Sequence, residues 1–155
     1  MTGPEVVFRG AVSDDVEAIV TLLADDPLGR ERETAPAIGV DPRYRDAFAV
    51  IARDPNQLLA VAERSGRVVG VLQLSFIPGL TRRGMWRGQI EGVRIAASER
   101  GEGIGRAFLE WAIGQCRERG CGLVQLTSDK RRPEAHRFYE ARGFAATHEG
   151  YKLEL

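Results

Sequence analysis

The chain has 155 residues, with Lys plus Arg equal to Asp plus Glu at 22 each. That length predicts one domain over 1–155, large enough to bury roughly 70% of the surface its unfolded chain would expose. Balanced charge excludes a bulk positive field for nucleic acid; no apolar run approaches the roughly 20 residues a membrane span needs, so the expected location is cytoplasmic with no membrane partner. Cys116 and Cys121 are the only cysteines, without a CxxC spacing or a nearby His, so reduced, packed thiols and no metal site are expected.

In chain order, "VVFRGA" alternates and reads as a strand. Ser13 offers a cap for a helix through "DDVEAIVTLL", in which Val16, Ile19, Val20 and Leu23 share a face. "ADDPLGRERETAPAIGVDP" has no period and is long enough to be a substrate cover. Its Arg30, Glu31 and Glu33 either read an acceptor's charge or are simply solvated. Pro42 opens a second helix through "RYRDAFAVIARD". "QLLAVAE" and "VVGVLQLSFI", joined by "RSGR", make a hairpin. "PGLTRRGMWRG" is a second loop, whose Met85 and Trp86 line an acceptor pocket, a dimer contact or a satellite cluster. It leads to strand "QIEGVRIA" and then to a helix from Ile104, with Phe108, Ala112 and Cys116 on one face and Gly120 as its stop. Strand "LVQLTS", helix "PEAHRFYEAR" with stop Gly143, and a last strand "FAATHEGYKLEL" follow. This order predicts an α/β (α+β) fold, a mixed and mostly antiparallel central sheet flanked by helices.

Between the strand and the helix, "SERGEGIGRAF" places Gly101, Gly103 and Gly105 where a helix begins. Such a turn aims several N–H groups at one place, at the positive end of the helix dipole, which suits a phosphate. A tight turn without a ligand is the bland alternative. A nucleotide P-loop would need a Lys and a hydroxyl that do not follow, and the dinucleotide fingerprint GxGxxG is not matched by GxGxG.

With "VRIAASERGEGIGRAFLEWA" (93–112) and "AHRFYEARGF" (135–144), the chain resembles the GCN5-related N-acetyltransferase superfamily. The resemblance implies acetyl-coenzyme A as cosubstrate and direct acetyl transfer to a primary amine. Small-molecule acceptors are expected first and a protein N-terminus or lysine second; a coenzyme A-binding sensor without turnover is the rival from another class. By the same resemblance, turn residues Arg100, Gly101, Glu102, Gly103, Ile104, Gly105 and Arg106 bind the pyrophosphate. Val93, Arg94 and Ile95 would bind the pantetheine arm, with the Val93 N–H facing the carbonyl oxygen. A homodimer is also compatible with it.

Acyl transfer needs a neutral amine, a donor for the carbonyl oxygen and a proton for the leaving thiolate. Glu91, two residues before Val93 and therefore on the same side of an extended strand, is the candidate to take the amine's proton; otherwise it is a strand-edge carboxylate paired with Arg87, Arg94 or another surface cation. By the same resemblance the Tyr139 hydroxyl stands near the coenzyme sulfur and is the candidate acid for the thiolate, a role that suits a group whose proton is held at neutral pH; otherwise it is a core aromatic with Phe138 and Phe144. Arg132 stands where relatives often carry Asn and is a candidate coenzyme contact alongside Lys130 and Arg131. His136 joins the coenzyme-binding candidates, although as a base it is outweighed by a helix-surface or packing role.

Overall fold

The structure, a computed structural model, describes residues 4–36 and 39–155. They fall into two compact units, Met1–Gln125 and Leu126–Leu155. The first begins with β1 (Val6–Gly10), a 3-10 turn (Ser13–Asp15), α1 (Val16–Ala24), α2 (Gly29–Arg32) and α3 (Pro42–Arg53). The hairpin of β2 (Gln57–Arg64) and β3 (Arg67–Ile77) follows, then one turn, α4 (Thr81–Gly84), β4 (Arg87–Ile95) and α5 (Ile104–Glu118). β5 (Leu123–Leu126) closes the sheet, and the second unit holds α6 (Pro133–Glu140). The strands lie in the order β1-β2-β3-β4-β5, and the first three pairings are antiparallel. This is the mostly antiparallel, helix-flanked sheet that the order of elements predicts. No helix among the described residues is long and apolar enough to cross a membrane.

Where the register is regular, period-2 alternation assigns strand residues to one face or the other. Gly88 and Ile90 of β4 face α5: a Cβ on Gly88 would lie 2.3 Å from Cys116 Sγ, so only glycine lets the helix pack this close. Phe108 of α5, fully buried, stacks on Phe8 at 4.9 Å. On the opposite face, Ile19 and Leu22 of α1 pack against Val61 of β2 and Val71 of β3. Burial of four such side chains contributes on the order of 1.5–3 kcal/mol each.

Three local expectations are corrected. Ser13 is not the cap: the Asp15 carboxylate accepts the Val12 N–H at 2.7 Å and also pairs with Arg9, so the stronger acceptor takes the orphan amide. In α1, Leu22 is in the core and Leu23 lies at its margin. The expected last strand is absent: residues 144–155 carry neither helix nor strand, and Tyr151, Leu153 and Leu155 are exposed. Alternation supplies two faces but no neighbour to bond to. The long loop after α1 holds α2, and its Ala37 and Ile38 lie outside the described residues. Asp41 caps α3 by accepting the Arg43 N–H at 2.9 Å.

Candidate active site

The centre of the site is an irregularity in β4. Its register with β3 runs Gln73↔Glu91 and then Val71↔Arg94, so β4 advances three residues while β3 advances two. Gly92, with φ of 62°, provides the left-handed residue that such a bulge requires. Gly92 and Val93 consequently have no paired residue on β3, and Leu23 of α1 stands 3.8 Å from where a Gly92 Cβ would be. A bulge re-aims its neighbours. Glu91 stays on the face of Gln73, whereas Arg94 reaches toward α1, where its Nε donates to Asp26 Oδ2 at 2.7 Å and its Nη1 donates to the Val93 carbonyl at 2.7 Å. Asp26, nearly buried, also accepts the N–H groups of Leu28 and Gly29. The Arg94 side chain therefore fastens the loop after α1 to the bulge, which leaves its main chain as the part that a coenzyme would meet.

Glu91 is exposed and is not paired with Arg87 or Arg94. Its Oε1 accepts from Gln89 Nε2 at 3.2 Å, and Gln89 Oε1 accepts from Gln125 Nε2 at 2.9 Å. Beside them, Gln57 Oε1 accepts from Gln73 Nε2 at 2.8 Å and from Ser75 Oγ at 3.0 Å. Four glutamines, one serine and one glutamate thus form a polar floor on one face of β2, β3, β4 and β5. The sequence reading missed this floor. Its signal is one glutamine in each of four strands, and that they share a face is visible only once the register is known.

After Ile95 a 3-10 turn over Ala97–Glu99 leads to Gly101 and Gly103, at φ 85° and 80°, and α5 starts at Ile104. Chain neighbours aside, no atom of the described residues lies within 4 Å of a Cβ on either glycine, so the space above the turn is open to a ligand. The first intrahelical bond is Ala107 N–H to the Gly103 carbonyl, which leaves the N–H groups of Ile104, Gly105 and Arg106 without helical acceptors at the positive end of a 15-residue helix. The turn is anchored from β2: Arg64 pairs with nearly buried Glu99 at 2.6 Å and with Glu102. Arg100 donates to the Ile95 carbonyl, and Arg106 pairs with Glu110. These residues suit a diphosphate: open amides, a helix dipole, and nearby acids already matched by an arginine.

Cys116 and Cys121 are free thiols. Burial pushes Cys116 up to about 11 and raises Cys121 as well, so neither is an activated nucleophile at neutral pH. Met85 packs on the Gly122 backbone, where a Cβ would lie 2.4 Å from its Sδ, while Trp86 is part-exposed. Glu33 accepts from the Tyr44 hydroxyl at 2.6 Å.

In the second unit, half-buried Tyr139 lies edge-on to Phe138 and Phe144 at 5.2 and 5.8 Å. The Asp129 carbonyl accepts the Arg132 N–H at 3.0 Å and lies 2.9 Å from His136 Nε2, so His136 braces the loop before α6.

The sequence pattern of the Acetyltransferase (GNAT) family matches residues 17–144. An aminoalkylphosphonate N-acetyltransferase from Salmonella typhimurium is 30% identical over 145 residues, 94% of this chain and 88% of that protein. A glucosamine 6-phosphate N-acetyltransferase from Trypanosoma brucei brucei is 38% identical over 92 residues, 59% of this chain and 60% of that protein. Among solved structures, one described as a transcriptional regulator from Bacillus halodurans has TM-score 0.94 at 48% identity, covering 97% of this chain and 100% of its own. The chain belongs to the GNAT family of acetyltransferases and is an N-acetyltransferase.

Proposed function

We propose that the enzyme takes an acetyl group from acetyl-CoA and passes it directly, within a ternary complex in the cytoplasm, to a primary amine on a small molecule. The observation that carries this reading is the bulge at Gly92 and Val93, set between Glu91 and a glycine turn with open amides. The amides of the turn from Gly101 to Arg106 bind the diphosphate, and Arg100 supplies positive charge beside it. The main chain at Val93, Arg94 and Ile95 orients the pantetheine arm. The Val93 N–H donates to the carbonyl oxygen as negative charge develops there. Donors of this kind are worth about 10² to 10³ in rate.

Glu91, directly or through water, takes the proton of the ammonium, so that the neutral amine can attack the carbonyl carbon. The carbon–sulfur bond breaks as Tyr139 gives its hydroxyl proton to the leaving thiolate, and the nitrogen, cationic after attack, sheds its extra proton to water, from which the tyrosine is reprotonated. Arg132 and His136 belong to the coenzyme's surroundings. Two high-lying thiols offer no acetyl-cysteine intermediate, which favours direct transfer. Small-molecule acceptors are supported by the two relatives named for aminoalkylphosphonate and glucosamine 6-phosphate.

A second reading, a coenzyme A-binding sensor, is favoured by the neighbour described as a transcriptional regulator. Release of free thiol from acetyl-CoA, measured with polyamines, amino sugars and their phosphates, aminoglycosides, amino acids and short peptides, separates the two. Acceptor-dependent thiol release is expected. Coenzyme binding without such release supports the sensor, and absence of coenzyme binding overturns both. Tyr139→Phe is expected to lose turnover while keeping coenzyme affinity; if affinity and stability fall together, the tyrosine is a packing residue.

A further inference from the structure

Between Ser75 and Glu91 the chain carries three arginines, Arg82, Arg83 and Arg87, and no acidic residue. In a protein of zero formal charge this is a local positive excess. Arg87 opens β4, is half-buried, and shares its face with Gln89 and Glu91. Its guanidinium has no hydrogen-bond or ion-pair partner among the described residues, and neither has the Thr81 hydroxyl. Both converge on Gly79. A Cβ built there would lie 3.4 Å from Arg87 Nη1, 3.8 Å from Thr81 Oγ1 and 3.1 Å from the Met85 carbonyl oxygen. Gly79 has an ordinary backbone conformation, so here glycine preserves space. Arg82 and Arg83 beside it hold φ of 52° and 61°, a conformation that L side chains seldom adopt and that tends to mark functional segments.

We infer that the acceptor amine carries a phosphoryl group, set several bonds away from its nitrogen and held over Gly79 by Arg87 and Thr81 in the field of Arg82 and Arg83. The inference rests on the acetyl-transfer reading above. Arg87 and Glu91 are four residues apart on one face, about 13 Å of extended strand. An α-amino acid, with its carboxylate two bonds from the nitrogen, does not span that distance, and an amino sugar phosphate comes closer to it. The cradle also favours phosphoryl over carboxylate. Arg87 and Thr81 offer donors from two sides of Gly79, and a phosphoryl group brings three acceptor oxygens to meet them where a carboxylate brings two. Gln89, between the two ends, faces the body of such a ligand.

The test pairs acceptors that differ in one group: a hexosamine, its 6-phosphate and its 6-carboxylate, with 2-aminoethyl phosphate as a short control. Rates of thiol release give KM and kcat, and calorimetry without the donor gives binding of the phosphorylated hexosamine. The 6-phosphate is expected to have a KM about ten- to a hundredfold below that of its parent, as suits one charge-assisted contact, and to be preferred over the carboxylate and the short phosphate. Arg87→Met and Gly79→Ala, the latter filling the cradle, should collapse that ratio, and Arg87→Lys should restore part of it. Equal KM values for phosphate and parent overturn the inference, as does a ratio unchanged in Arg87→Met. Phosphorylated hexosamine that binds in an Arg87-dependent way but releases no thiol keeps the cradle and overturns acetyl transfer.

Discussion

Glu91 is exposed to water on one side and tied on the other, where Oε1 accepts from Gln89, itself fixed by Gln125. That arrangement holds the carboxylate on the polar floor without neutralising it, since Gln89 offers a dipole and no charge. A group so placed can take a proton from a substrate amine and return it to solvent. Glu91→Gln keeps the side-chain shape and removes the basicity. Its rate is expected to fall by about 10² to 10⁴, the usual contribution of a positioned base. The loss should shrink as pH rises toward the acceptor's own pKa, where the amine is already neutral. A pH–rate profile of kcat/KM for wild type and variant reads this, and parallel profiles would show that Glu91 is only a surface carboxylate.

At the scale of elements, the bulge in β4 and the turn before α5 are held by contacts distant in sequence. Arg64, at the end of β2, reaches Glu99 and Glu102, 35 and 38 residues away. Two carboxylates beside the turn proposed to hold the diphosphate would repel it, and Arg64 offsets their charge while fixing the loop. Arg64→Met is expected to raise KM for acetyl-CoA about tenfold with a smaller effect on kcat. The rise should be much smaller for S-acetylpantetheine, which lacks the diphosphate; equal rises for both donors would mean a general loss of structure. This also explains what sequence reading could and could not supply. The turn was legible because Gly101 and Gly103 and the helix after them are adjacent in sequence. Gly92 inside "QIEGVRIA" signalled a break in a strand, but its effect on Val93 depends on the register with β3. The glutamine floor and the Arg64 anchor depend on which strands are neighbours. At the chain's end, "YKLEL" carried a strand's alternation without a strand being formed.

For the molecule as a whole, the pairing of β1 with β2 and the entry into α1 meet at Arg9. Its guanidinium bonds Asp15 with Nη1 at 2.7 Å and Nη2 at 3.0 Å, and Glu63 with Nε at 2.8 Å. The Arg9 hydrogen bonds hold the nearly buried Asp15 carboxyl below the ordinary carboxylate range, against the opposing effect of burial, and the Val12 N–H lowers it further. The folded state therefore binds fewer protons than the unfolded chain just below the ordinary value of about 3.9, and unfolding is favoured as acid is added. The stabilisation is complete above that value and is lost as pH falls through the lower folded value. Asp15→Asn preserves the size and an acceptor for the Val12 N–H while removing the charge. At pH 7 it should be less stable than wild type by about 1.5–3 kcal/mol, the range for hydrogen bonds to charged groups. Urea midpoints measured from pH 7 to pH 2 should begin to converge for the two proteins below pH 4 and draw together as pH falls through the lowered folded value, where the wild-type carboxyl becomes neutral too. A difference that stays constant with pH would assign the cost to lost packing around Asp15 and not to its charge.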